Sequence, residues 1–75
     1  MNIGKRKEFK RILDDLQDLI NDAENLRTQE QVTLEAYPEN LQGSARCQNL
    51  EASISLIEDF INALEDAQTI GEGIE

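Results

Sequence analysis

The chain has 75 residues, a formal net charge of −9, one Cys and no His, so it forms at most one small domain. This composition excludes an internal disulfide and leaves carboxylates alone as ligands for any metal site. No run approaches ~18 apolar residues and no signal peptide is recognisable, so we expect a soluble, cytoplasmic protein without a membrane partner.

The charge is distributed unevenly along the chain. The first eleven residues hold five basic residues and one acid, whereas the acids of the remaining chain are balanced only by Arg27 and Arg46. Such an acidic body is expected to repel nucleic acid and to attract basic protein surfaces. The alternative is that the acids only keep a small apolar oligomer soluble.

The first predicted helix runs from about residue 5 to 37, after a frayed start. Its apolar residues recur at alternating steps of three and four, which is typical of a bundle face. They are Phe9, Ile12, Leu16, Leu19, Ala23 and Leu26, with Leu13 and Ile20 widening the stripe on one flank. Gln29, Glu30 and Thr33 then interrupt the pattern. Either this end of the helix is solvated, or these three residues line a polar cavity between helices.

Residues 38–44 predict a turn. Pro38 ends the first helix because it lacks an N–H and disfavours helical backbone in the residue before it. Gly43 tolerates positive φ, and Ser44 is a preferred N-cap for a second helix. Leu41, apolar within a polar loop, is expected to cover the end of a bundle.

The start of the second helix is also a candidate anion site. Its free N–H groups follow Ser44, and Gln42 and Arg46 lie close by in sequence, a combination that suits a phosphate, a nucleotide or a carboxylate. The alternative is that Arg46 pairs with Glu39 or with an acid of a neighbouring subunit.

The second predicted helix runs from about residue 45 to 68, followed by a mobile tail at 69–75 whose Ile70 and Ile74 are candidates to dock on a neighbour. Its apolar seam follows strict heptad spacing and comprises Cys47, Leu50, Ile54, Ile57, Ile61 and Leu64, supported by Leu56, Phe60 and Ala67. Cys47 is therefore interpreted as a buried structural residue. Acids at heptad spacing predict an acidic ridge, defined as Glu51, Glu58, Asp59, Glu65 and Asp66.

These patterns predict an all-α fold: one domain, residues 1–75, made of a two-helix antiparallel hairpin that assembles into a four-helix bundle or a larger helical oligomer. A chain this short buries a limited fraction of its surface, and a lone hairpin leaves half of each stripe in water. We expect a homo-oligomer, a dimer first and a tetramer second. Without a His base, an activated nucleophile or a glycine-rich phosphate loop, neither an enzyme nor a cofactor is expected.

The run Tyr37-Pro38-Glu39-Asn40-Leu41-Gln42-Gly43-Ser44-Ala45-Arg46, between two amphipathic helices, resembles a family of small acidic proteins of phages and prophages of Gram-positive bacteria. The resemblance spans roughly residues 12–68, and only the turn is specific. It implies a phage-borne accessory protein of the bacterial cytoplasm whose functional patch lies in the turn: Pro38, Glu39, Leu41, Gln42, Ser44 and Arg46.

Three functions therefore remain open. The first is an accessory protein that binds a host protein with a basic surface, with the acidic ridge mimicking nucleic-acid phosphates. The second is a protein that binds or sequesters a small anionic ligand at Ser44 and Arg46. The third is a structural helical oligomer without a ligand.

Overall fold

The computed structural model describes residues 1–74 and shows two long helices joined by a short turn. Helix α1 spans Ile3–Glu35, a single 3-10 turn spans Glu39–Leu41, and helix α2 spans Ala45–Glu72. The molecule measures 60 × 15 × 12 Å between Cα positions. The all-α, two-helix hairpin predicted from periodicity is confirmed.

The helices begin at side-chain caps. The Asn2 side chain accepts a hydrogen bond of 2.8 Å from the Lys5 N–H, which starts α1 two residues earlier than predicted and corrects the expectation of a frayed start. The Ser44 hydroxyl oxygen accepts from the Cys47 N–H at 3.3 Å, confirming Ser44 as the N-cap of α2. Each cap satisfies an N–H group that has no partner within its own helix.

The turn is built from short backbone hydrogen bonds. Helix α1 ends at Glu35, three residues before Pro38, and the Leu41 N–H then donates to the Pro38 carbonyl at 2.9 Å. The Ser44 N–H donates to the Leu41 carbonyl at 3.0 Å. Among residues 1–74 no glycine has a positive φ. Gly43 therefore does not use its tolerance of positive φ, because these i to i+3 bonds reverse the chain without left-handed backbone.

The core is a single seam between the two helices. Its buried apolar side chains are Leu13, Ile20, Cys47, Ile54 and Ile61. On α2 these residues follow the predicted heptad seam, with Leu50, Ile57 and Leu64 half-buried beside them. Contacts at both ends show that the helices are antiparallel, since Arg27 reaches Glu58 while Leu13 lies against Gly71.

Helix α1 packs on a different flank of its stripe from the one predicted. Leu13 and Ile20, expected at the edge, are buried. Ile12, Leu19 and Leu26, expected at the centre, are about half exposed. The apolar arc of α1 is wider than one neighbouring helix can cover, so α2 occupies one side of it and leaves the other side in water.

The expected mobile tail is also wrong for most of its length, because α2 continues to Glu72. Gly71 is buried, and a Cβ built on it would lie 2.5 Å from Leu13 Cδ2 and 3.3 Å from Phe9 Cε1. The last turn of α2 therefore packs closely on α1, which stabilises helical structure where glycine alone would disfavour it. Ile74 is described as part of the following turn, and Glu75 lies outside the described residues.

The interrupted end of the α1 stripe is solvated. Gln29 and Thr33 are exposed, and the Thr33 hydroxyl donates to the Gln29 carbonyl at 3.1 Å. A polar cavity lined by these residues and Glu30 is not formed in the hairpin. No helix within residues 1–74 combines the length and the apolar character needed to cross a membrane.

Candidate functional site

The turn patch predicted from sequence is only partly assembled. Pro38, Leu41, Ser44 and Arg46 line one depression of about 380 Å³ together with Tyr37. Glu39 and Gln42 of the same patch are exposed and do not line it. The depression is mostly apolar, with the Arg46 guanidinium group as its one charged lining residue.

The chemistry of this depression is limited. The Ser44 hydroxyl oxygen accepts from the Cys47 N–H and caps the helix, and its O–H remains a hydrogen-bond donor. Arg46 forms no ion pair with Glu39 or any other acid in residues 1–74, where the ion pairs are Arg11–Asp15 and Arg27–Glu58. The intramolecular pairing considered for Arg46 is therefore not formed, and anion binding at this site stays a prediction.

Cys47 is buried at the first turn of α2, on the seam where the sequence places it. Burial, followed by the nearby Glu51 carboxylate, raises the pKa of the Cys47 thiol above its ordinary value of 9.0. The thiol lies 3.9 Å from Glu51 Oε1. A raised pKa disfavours the reactive thiolate, which agrees with a structural role. The part of the chain that the structure describes contains no group of three or more metal-ligating side chains.

All five residues of the acidic ridge are exposed, but they differ in their surroundings. Glu58 Oε1 lies 3.7 Å from the Arg27 guanidinium of the facing helix, and Glu51 approaches the Cys47 thiol. Within residues 1–74, Asp59, Glu65 and Asp66 take part in no ion pair. The ridge carboxylates that follow Glu58 in sequence are therefore the ones without an ion-pair partner in the described hairpin.

A second surface is the exposed half of the apolar stripes, which the sequence predicted without identifying its residues. It consists of apolar residues that the hairpin leaves exposed on both helices, and we call it the apolar surface: Ile12, Leu19 and Leu26 of α1, with Leu56, Phe60, Ala63, Ala67 and Ile70 of α2. Leu56, Phe60 and Ile70 are 69%, 58% and 70% exposed. The signal available from sequence was the stripe width, since both helices carry more apolar residues than one seam can bury.

Helical geometry places both halves of the apolar surface on one side of the hairpin. At 3.6 residues per turn, the exposed residues of α1 lie about 90° around the helix from its buried seam, and those of α2 lie about 120° from theirs in the same rotational sense. Because the two helices run in opposite directions, rotation in the same sense about each helix axis brings the exposed residues of α1 and α2 to the same side of the hairpin. Glu51, Glu58 and Glu65 of the acidic ridge are rotated about 70° from the seam in the opposite sense, so they lie on the opposite side. Asp59 and Asp66 are rotated about 160°, so they lie on the outer face of α2 beside Ala63 and Ile70.

Comparison of the chain with protein-family models, curated proteins and solved structures gives no significant match.

Proposed function

We propose that this protein is an accessory interaction protein: a helical hairpin that self-associates through its apolar surface and presents its acidic ridge to a partner protein with a basic surface. The observation that carries the proposal is that the glutamates of the ridge lie on the side of the hairpin opposite the apolar surface. Self-association on one side then leaves the other side free for a partner.

The need for self-association follows from the small core. Only five apolar side chains are buried in the described chain, while large apolar residues remain exposed along both helices. Contiguous exposed apolar patches on small soluble proteins mark interaction sites. Each such side chain gains roughly 1.5–3 kcal/mol when it is moved out of water, so pairing two hairpins stabilises both.

The preference for a basic partner follows from the charge of the ridge. Asp59, Glu65 and Asp66 are exposed and form no ion pair within residues 1–74, and the chain as a whole carries −9. A surface of one sign attracts the opposite sign over roughly 10 Å at 0.1 M salt and less at higher salt. The same charge opposes binding to nucleic acid, so we propose phosphate mimicry rather than phosphate recognition.

The resemblance of the turn to small phage and prophage proteins supports the biological setting. An accessory protein of that kind acts in the cytoplasm of its bacterial host, where host nucleic-acid-handling and defence proteins supply basic surfaces. The partner in this proposal is therefore a host protein rather than a small molecule.

Charge reversal on the ridge tests the proposal. Glu51→Lys with Glu65→Lys changes two exposed acids on the side opposite the apolar surface without changing the Glu58–Arg27 pair, and we expect it to abolish capture of basic proteins from a Gram-positive lysate at low salt. The matched control is Asp18→Lys with Asp22→Lys, which makes the same charge change on exposed residues of α1 away from the ridge. Capture is measured by affinity purification and quantitative mass spectrometry.

Two results would count against the proposal. One is equal capture by the ridge variant and the control, because the ridge would then have no special role. The other is an oligomer that captures no basic protein even at low salt, which would favour the structural oligomer without a ligand.

A further inference from the structure

The apolar residues of each helix are spaced symmetrically about one residue. On α2 the pairs Phe60 and Ile70, and Ala63 and Ala67, are equally distant from residue 65, and Leu56 and Ile74 form an outer pair about the same centre. On α1, Ile12 and Leu26 are equally distant from Leu19. Symmetric spacing of this kind is what a surface needs to contact a copy of itself across a two-fold axis.

The two centres lie at the same height along the hairpin. The residue numbers of two residues that meet across the seam add up to nearly the same value each time. Leu13 lies against Gly71, Gln68 donates a hydrogen bond to Gln17, and Arg27 pairs with Glu58. By that register Leu19 is level with residue 65. A single two-fold axis perpendicular to the helices can therefore relate both halves of the apolar surface to those of a second copy.

We propose that the apolar surface is covered by a second copy of this chain, placed antiparallel, with a two-fold axis through the level of Leu19. Each α1 then packs on the α1 of the second copy and each α2 on its α2. Leu19 meets Leu19 of the second copy, and Ile12 meets its Leu26. Ala63 meets Ala67 near the axis, where small side chains let the helices approach closely. This inference rests on the self-association in the proposed function and adds its orientation.

The charge distribution favours this orientation over a parallel one. Phe9 and Leu13 contact Gly71 near the end of α2, so the residues of α1 before Phe9 extend beyond it. Lys5, Arg6 and Lys7 lie on this overhang. In the antiparallel dimer the overhang lies beside the acidic turn half of the other copy. In a parallel dimer the basic overhangs of both copies would lie at the same end and repel each other.

The acid that the overhang meets is Glu30, which lies on the same side of α1 as Leu19 and is level with residue 8 of the second copy. The available area is also adequate, since one side of a hairpin 60 Å long and 15 Å wide covers roughly 900 Å², similar to the ~800 Å² per partner of a standard stable interface.

The first test uses single cysteines in a Cys47→Ala background. We expect Leu19→Cys to form a disulfide-linked dimer on mild oxidation, because the two copies of residue 19 meet on the axis. Ile12→Cys and Leu26→Cys, each alone, are expected to stay unlinked, since like residues lie about 21 Å apart along the dimer. A mixture of these two variants is expected to cross-link. Equal reactivity at all three positions would overturn the antiparallel arrangement.

The second test leaves the apolar surface intact. A spin label is placed on the exposed turn as Asn40→Cys in the same background, and the distance between labels is measured by pulsed electron resonance. The antiparallel dimer predicts about 60 Å, because the turns lie at opposite ends. A distance of about 20 Å, two helix spacings, indicates a parallel dimer and overturns this inference alone. A monomer by sedimentation overturns the self-association on which it rests.

Discussion

Gly71 lies where the last turn of α2 passes between the side chains of Phe9 and Leu13. Glycine inside a helix costs roughly 1 kcal/mol relative to alanine, so its presence needs a reason in the packing. A Cβ at this position would lie within 2.5 Å of Leu13 Cδ2, a distance at which the buried Leu13 side chain must move. The missing side chain lets the end of α2 approach α1.

This close approach predicts the effect of Gly71→Ala. We expect a net loss of about 1 kcal/mol in the free energy of unfolding, because overpacking of roughly 1–3 kcal/mol exceeds the gain in helix propensity. Gly4→Ala is the matched control: its Cβ would meet only Asn2 Oδ1 at 3.6 Å, so propensity alone acts and stability rises. Urea denaturation measures both. Stabilisation by Gly71→Ala would show that the contact is loose.

The Ser44 hydroxyl caps the start of α2 and connects this helix to the turn. Replacing an N-cap serine by alanine costs about 1 kcal/mol, because one N–H group of the first turn loses its acceptor. We therefore expect Ser44→Ala to lower the free energy of unfolding by that amount. Ser44→Asp is expected to restore stability, since aspartate also caps helices. Failure of the aspartate variant to restore it would assign another role to Ser44. Chemical denaturation followed by circular dichroism measures both variants.

At the scale of the elements, periodicity predicted much of the fold. Heptad spacing identified the α2 seam of Cys47, Ile54 and Ile61, and the Pro38 and Ser44 signals placed the turn. Two features could not be predicted for a physical reason. The side of α1 that packs depends on where α2 lies across a stripe wider than one helix. The helical end of α2 depends on a contact made by Gly71, which by composition alone signals flexibility.

The candidate site was predicted less completely than the fold. The sequence identified the acidic ridge because its heptad spacing is local, and the structure exposes all five acids. It identified the turn patch only in part, since Glu39 and Gln42 lie outside the depression that Arg46 lines. The sequence predicted that half of each apolar stripe would stay exposed for self-association. It did not predict that the two halves share one side, because they are far apart in sequence and only the antiparallel packing of α1 and α2 brings them together.

At the scale of the whole molecule, a dimer makes stability depend on concentration. Tenfold more protein adds about 1.4 kcal/mol per mole of dimer, and we expect the melting temperature to rise by roughly 3–6 °C. Leu19→Asp should remove this dependence by placing a charge on the two-fold axis. Circular dichroism melts at two concentrations, with sedimentation at each, measure the effect.

The control for this variant is Val32→Asp. Val32 is 60% exposed, and its position on α1 lies away from the apolar surface, so the same introduction of a charge should leave the concentration dependence intact. Loss of the dependence in both variants would indicate a general effect of added charge. Independence of concentration in the wild-type chain would mean that the hairpin is stable alone.

The placement of the ridge glutamates opposite the apolar surface has a consequence for valency. When two hairpins join through their apolar sides, these glutamates point outward in opposing directions, so one particle carries two equivalent docking faces. Such a bivalent particle bridges two partner molecules rather than gripping one from both sides, and on a partner that is itself repeated or clustered its binding gains avidity without any new contact.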